Sequence, residues 1–124
     1  MLAPERLRAH RVVADPPAID ALVAALPAGV TSLRSAPDEV LVVGIAAILL
    51  DDPDAIVEEE AGFVALTVDR ALVERHVEWR LPGLGEVAQG SIAGLPARLT
   101  WLPDGRAWIV THAAYAAELA ERLR

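Results

Sequence analysis

The chain is 124 residues long, 54% hydrophobic but only 4% aromatic, with a formal net charge of −7. That length suits one domain whose core is built from Ala, Val, Leu and Ile, and so high an apolar fraction leaves apolar surface for a partner. Lys and Cys are absent and the arginines are scattered, which argues against a nucleic-acid or anionic-membrane face and excludes a disulfide framework, a thiolate nucleophile and a cysteine metal site.

The N-terminus holds no apolar core of signal-peptide length. The longest apolar run, Val40 to Leu50, has eleven residues, where a membrane-spanning helix needs roughly 20. A cytoplasmic protein is expected. Residues 1–14 read as an N-terminal arm, either a short helix or an extended segment on a partner, and residues 15–124 as a single α+β domain. Asp15 followed by Pro16 and Pro17 marks a helix start, since an N-cap oxygen precedes prolines that need no amide donor. Ile19, Leu22, Val23 and Leu26 form one apolar stripe behind it, and Pro27-Ala28-Gly29 ends it.

Thr31 to Ser35 is an expected strand and Pro37-Asp38-Glu39 a turn. Val40 to Leu50 is either a buried strand that bends or breaks at Gly44 or a core helix. Asp51 to Glu60 holds six carboxylates in ten residues. A calcium loop sets its ligands at fixed positions around a glycine, an order this segment lacks, so an acidic loop with a short strand at Ala55-Ile56-Val57 is the plainer reading. Gly62 to Val68 is a strand, and Asp69 opens a helix from Arg70 to Trp79 with Leu72, Val73, His76 and Val77 on its apolar face.

Val87 to Thr111 reads as three strands. Ala97, Leu99 and Trp101 alternate with Arg98 and Thr100, and Trp108 and Val110 alternate with Ile109, the period-two signature of strands. Pro103-Asp104-Gly105 between the last two predicts a type I turn closed by a glycine bulge. A final helix begins at Thr111 or His112 and packs through Tyr115, Leu119 and Leu123, with Glu118, Glu121, Arg122 and Arg124 outside. The order from Gly62 is β-α-β-β-β-α, preceded by a shorter α-β-β half that hints at a repeated topology. Helices on one face of a mainly antiparallel sheet are the expected architecture.

Chemistry is sparse. His76, beside Glu78 and Arg80, could act as a general base, or be a packed histidine of the helix's apolar face. His10, His76 and His112 show no metal-ligand spacing. Gly90-Ser91-Ile92-Ala93-Gly94 is one residue too long for a nucleophile elbow, and Gly83-x-Gly85 opens no helix. Trp79, Trp101 and Trp108 are candidate core or interface anchors. No catalytic, cofactor-binding or metal residue is assigned.

Four stretches in order carry a resemblance. Ser35-Ala36-Pro37-Asp38-Glu39-Val40-Leu41-Val42-Val43 is similar to the G-P-D-E-W-L-L-L stretch of the gamma subunit of heterotetrameric sarcosine oxidases, with Val40 where that family has Trp. Gly62-Phe63-Val64-Ala65-Leu66 resembles the strand before its central helix. Ala88-Gln89-Gly90-Ser91-Ile92-Ala93-Gly94-Leu95-Pro96-Ala97 resembles its A-Q-T-x-L-A-G-V-P-V run, and Ala114-Tyr115-Ala116 its S-Y-A ending. The resemblance implies an α+β fold akin to the folate-binding aminomethyltransferases. It also implies a non-catalytic accessory subunit, with FAD, FMN, NAD and tetrahydrofolate held by larger flavoprotein partner subunits. A rival expectation is a stand-alone domain for a folate-like flat ligand, with Trp101 or Trp108 as stacking platform and Arg98 for carboxylates. A third is a small enzyme with His76 as base.

Overall fold

Val12 and the valines of the apolar run come together in space although about thirty residues separate them in sequence. In the computed structural model, which describes residues 3–124, Ala9–Val13 is a strand (β2) pairing antiparallel with Glu39–Val43 (β4) on one side and Ile56–Glu60 (β5) on the other. Thr31–Ala36 (β3) pairs with β4, giving the sheet order β3-β4-β2-β5. The helix predicted behind Asp15 is present as Pro16–Ala24 (α1), with prolines in its first turn. Its Ile19 and Leu22 are buried with Val12, Val40 and Val42 on one face of this sheet. Burying each such side chain is worth roughly 1.5–3 kcal/mol.

The apolar run resolves as a strand, not a helix, and only its first half is strand. Gly44, at φ +94°, turns the chain out of β4, and Ile45, Ile48 and Leu50 fold back against the α1 cluster. In the segment expected as an arm, the first two residues lie outside the described ones, Glu5–Arg6 is a short exposed edge strand (β1), and β2 is a central strand between β4 and β5. The polarity that makes it read as an arm is matched across the sheet. Arg11 Nε donates to Glu39 Oε1 at 2.8 Å, its Nη1 lies 3.5 Å from Glu58 Oε2, and His10 Nε2 lies 3.8 Å from Glu59. These partners stand 28 and more residues away, beyond any local window.

Residues from Gly62 onward, with residues 3–6, form one compact unit, and Leu7–Ala61 the other. In the former the sheet order is β1-β6-β9-β8-β7, from Phe63–Val68 (β6), Ala88–Ile92 (β7), Leu95–Trp101 (β8) and Ala107–His112 (β9). The β8–β9 hairpin closes as expected. The Gly105 N–H donates to the Leu102 carbonyl at 2.9 Å and Gly105 takes φ +87°. The β7–β8 turn is a two-residue connection, with Ala93 at φ +50° and Gly94 at φ +83°, the left-handed pair that a tight hairpin requires. Leu66, Leu99 and Ile109 are fully buried on one sheet face with Val73 and Leu119.

Two helices differ from expectation. The helix from Asp69 spans only Arg70–Glu74 (α2) and does not reach Trp79. The His76 carbonyl, which a longer helix would use internally, accepts the Ala93 N–H at 2.9 Å, so a tertiary bond ends the helix early. The last helix, Ala113–Arg122 (α3), buries Ala116, Leu119 and Ala120, and Leu123 follows at its C-cap. Tyr115, expected in that packing face, is 36% exposed, because the alanines and leucines at helical spacing already fill it.

Both units start alike. A strand, a helix and a hairpin follow in β6-α2-β7-β8 and in β2-α1-β3-β4. They differ in closure: β9 returns to β6 in one, whereas β4 itself returns to β2 in the other and β5 takes β2's far side. The architecture is α+β, two antiparallel sheets with three helices. None of these helices, among the described residues, is long and apolar enough to cross a membrane.

Candidate functional site

Where α2 ends early, the chain from Arg75 to Trp79 is bonded to the β7–β8 turn. Beyond the His76–Ala93 bond, Trp79 Nε1 donates to the Ser91 carbonyl at 2.7 Å. Arg122 Nη1 reaches from α3 to the Ala93 carbonyl at 2.7 Å. A Cβ on Gly90 would stand 3.0 Å from the Trp79 ring, so a larger residue there would push the ring by a few tenths of an ångström. Between these strips lies a cleft of about 430 Å³ lined by residues 75–79, Ser91, Ala93 and Gly94. His76, Glu78 and Ser91 all line it, yet no hydrogen bond or ion pair among the described residues links these side chains. A histidine without an orienting carboxylate and a serine without a base form no proton relay. These side chains therefore make no assembled nucleophile.

The three tryptophans separate. Trp101 is 9% exposed on the core face of β8, with its Nε1 donating to the Pro82 carbonyl at 2.7 Å and the Arg70 guanidinium over its ring at 4.7 Å. Trp108 is 8% exposed on the opposite face, opposite Thr100. Trp79 is half-buried at the cleft. Arg98 shares the face of Trp108, not of Trp101, and lies 5.3 Å from the Phe63 ring centroid. Phe63 in turn stacks on His112, with centroids 4.6 Å apart. His112 is the N-cap residue of α3 but makes no side-chain capping bond.

Among the described residues, no group of three or more His, Asp or Glu could hold a metal ion. The acidic stretch is divided: Asp51, Asp52 and Asp54 precede β5, whereas Glu58, Glu59 and Glu60 lie within it. A feature that the sequence reading missed is a groove of about 520 Å³ in the Leu7–Ala61 unit, between α1 and residues 49–53. Its signal was present in two leucines that end an apolar run directly before Asp51-Asp52, but only the turn at Gly44 brings them beside α1.

Comparison with models of protein families and with curated protein sequences finds no match. Among solved structures, the fold matches a chain of the heterotetrameric sarcosine oxidase from Corynebacterium sp. U-96 in complex with pyrrole 2-carboxylate. The TM-score is 0.74 at 13% sequence identity, over 98% of this chain and 81% of that one. Along nearly its whole length, the chain has the fold of a subunit of the enzyme whose small-subunit motifs its sequence resembles.

Proposed function

We propose that this chain is a non-catalytic accessory subunit of a flavin-dependent oxidoreductase complex acting on sarcosine or a similar N-methyl amino acid. The carrying observation is the shared fold over 98% of the chain, read together with the four motif stretches in the same order. One further feature supports the reading. Large apolar side chains stand in solvent, Leu49 at 89% and Leu84 at 84% exposure, which suits a chain that buries surface against others. In this reading FAD, FMN, NAD and tetrahydrofolate belong to larger partner subunits, and the redox chemistry is theirs.

The test is a mild affinity purification of the tagged chain from its native host, followed by native mass spectrometry and an absorbance scan. Larger chains carrying a flavin spectrum, with sarcosine-dependent reduction of that flavin, are the expected result. A colourless species of 13.2 kDa, or its homo-oligomer, overturns the reading. The rival, a free-standing folate-binding domain, needs an open tryptophan face. Trp101 and Trp108 are buried, so titration with folates is expected to leave tryptophan fluorescence flat.

A further inference from the structure

The groove between α1 and residues 49–53 adjoins a second hollow of about 570 Å³, and the two share Asp15 and Asp52. The floor is apolar, formed by the small side chains of α1 and by Leu50. Leu49 stands at its edge almost wholly exposed. The rim is acidic, with Arg34 nearby, its Nη2 donating to the Pro37 carbonyl at 2.6 Å. Asp15, Asp38, Asp51, Asp52 and Asp54 line the two hollows, and no arginine or histidine does. Elsewhere in this unit three carboxylates have arginine partners, Glu39 and Glu58 on Arg11 and Asp20 on Arg34. The rim aspartates make no ion pair among the described residues, and only Asp52 is tied down, by the Asp15 and Asp54 N–H groups.

The geometry points to this groove as the seat of a partner segment that carries apolar side chains flanked by Lys or Arg, contributed by a larger subunit. An apolar floor selects the apolar side chains, and like-signed rim charges select basic flanks. The same rim repels a second copy of this chain, whose net charge is −7, as it repels a nucleic-acid phosphate. A metal ion is no rival, since among the described residues no set of ligands could hold one. This inference rests on the subunit reading and names the surface and the chemistry through which it works.

The experiment compares the purified wild-type complex with complexes carrying Asp38→Lys with Asp54→Lys, or Leu49→Ser. A charge control on α3, Glu118→Lys with Glu121→Lys, accompanies them, and circular dichroism checks that each variant folds. The expected result is at least about tenfold weaker association for both groove variants, with the salt dependence reduced in the charge-reversed one. The control should bind as wild type. Hydrogen exchange on the wild-type complex should show protection at residues 15–25 and 49–54, and carbodiimide cross-linking or protection on the other side should map to a basic-flanked apolar segment. A flavoprotein complex that forms equally well with folded groove variants overturns the groove and leaves the subunit reading standing. Protection caused by self-association also overturns it. If the wild-type chain forms no flavoprotein complex, both fall.

Discussion

Ala93 is the non-glycine residue with positive φ among the described residues, at +50°, and it holds the first position of the β7–β8 turn before Gly94. An L-residue there costs roughly 1–2 kcal/mol of backbone strain. Asn tolerates the left-handed region better and gives the Asn-Gly pair favoured in such turns. Ala93→Asn is therefore expected to stabilise the chain by about 1 kcal/mol, read as a rise in thermal midpoint. The β8–β9 turn makes a pH-dependent case. Asp104 Oδ1 accepts the Arg106 N–H at 2.9 Å and its Oδ2 the Arg106 Nε at 2.7 Å. The Arg106 backbone bond, then its side-chain bond, hold the Asp104 carboxyl below its usual value. A depressed carboxylate stabilises the fold fully above its unfolded-state pKa, and that contribution is lost as pH falls through the folded one. Asp104→Ala should lower the thermal midpoint slightly at neutral pH. The gap to wild type should close as the solution is acidified through the carboxylate range, and a gap unchanged by acid would refute the turn's electrostatic role.

At the scale of the element, β2 carries the most consequence. It lies between β4 and β5, its Val12 is fully buried, and its Arg11 joins strands from both sides. Val12→Ala removes two methyl groups from a packed site and should cost about 2 kcal/mol, transfer and cavity terms together. Chemical denaturation with an unchanged slope would measure it. A disposable arm would show no loss, so the experiment separates the two descriptions of residues 9–13. The strands from β6 to β9 were legible because apolar alternation and the Pro103-Asp104-Gly105 turn lie within a few residues of each other. The end of α2 was not legible, because the bond that ends it comes from Ala93, seventeen residues beyond His76.

For the whole molecule, the surplus of apolar residues inferred from composition has a location. Leu49, Leu84, Ile56 and Val57 are exposed, each at 44% or more. These side chains gain little from folding, so replacing them should leave stability within about 0.5 kcal/mol. Leu49→Ser with Leu84→Ser is expected to keep the thermal midpoint while reducing concentration-dependent light scattering of the isolated chain. A large fall in the midpoint would mean that these leucines serve the fold and not a partner. The candidate site was half legible. His76 and Trp79 stand out in the sequence, and both line the cleft. The groove beside α1 does not, since its walls come from residues 15–25 and 49–53 and meet only after Gly44 turns the chain.

Several features are set locally along the chain: the α1 start at Asp15-Pro16-Pro17, the alternation of β8 and β9, the glycine turn between them and the α+β class. Those features follow from steric preferences and hydrophobic periods that act over a few residues. Long-range packing sets the rest: residues 9–13 are an interior strand, α2 stops at Glu74, Tyr115 faces outward and an acidic, apolar-floored groove exists. Each of these depends on a partner tens of residues away, or on which of several apolar candidates wins a place in the core. A short sequence window carries no term for that competition.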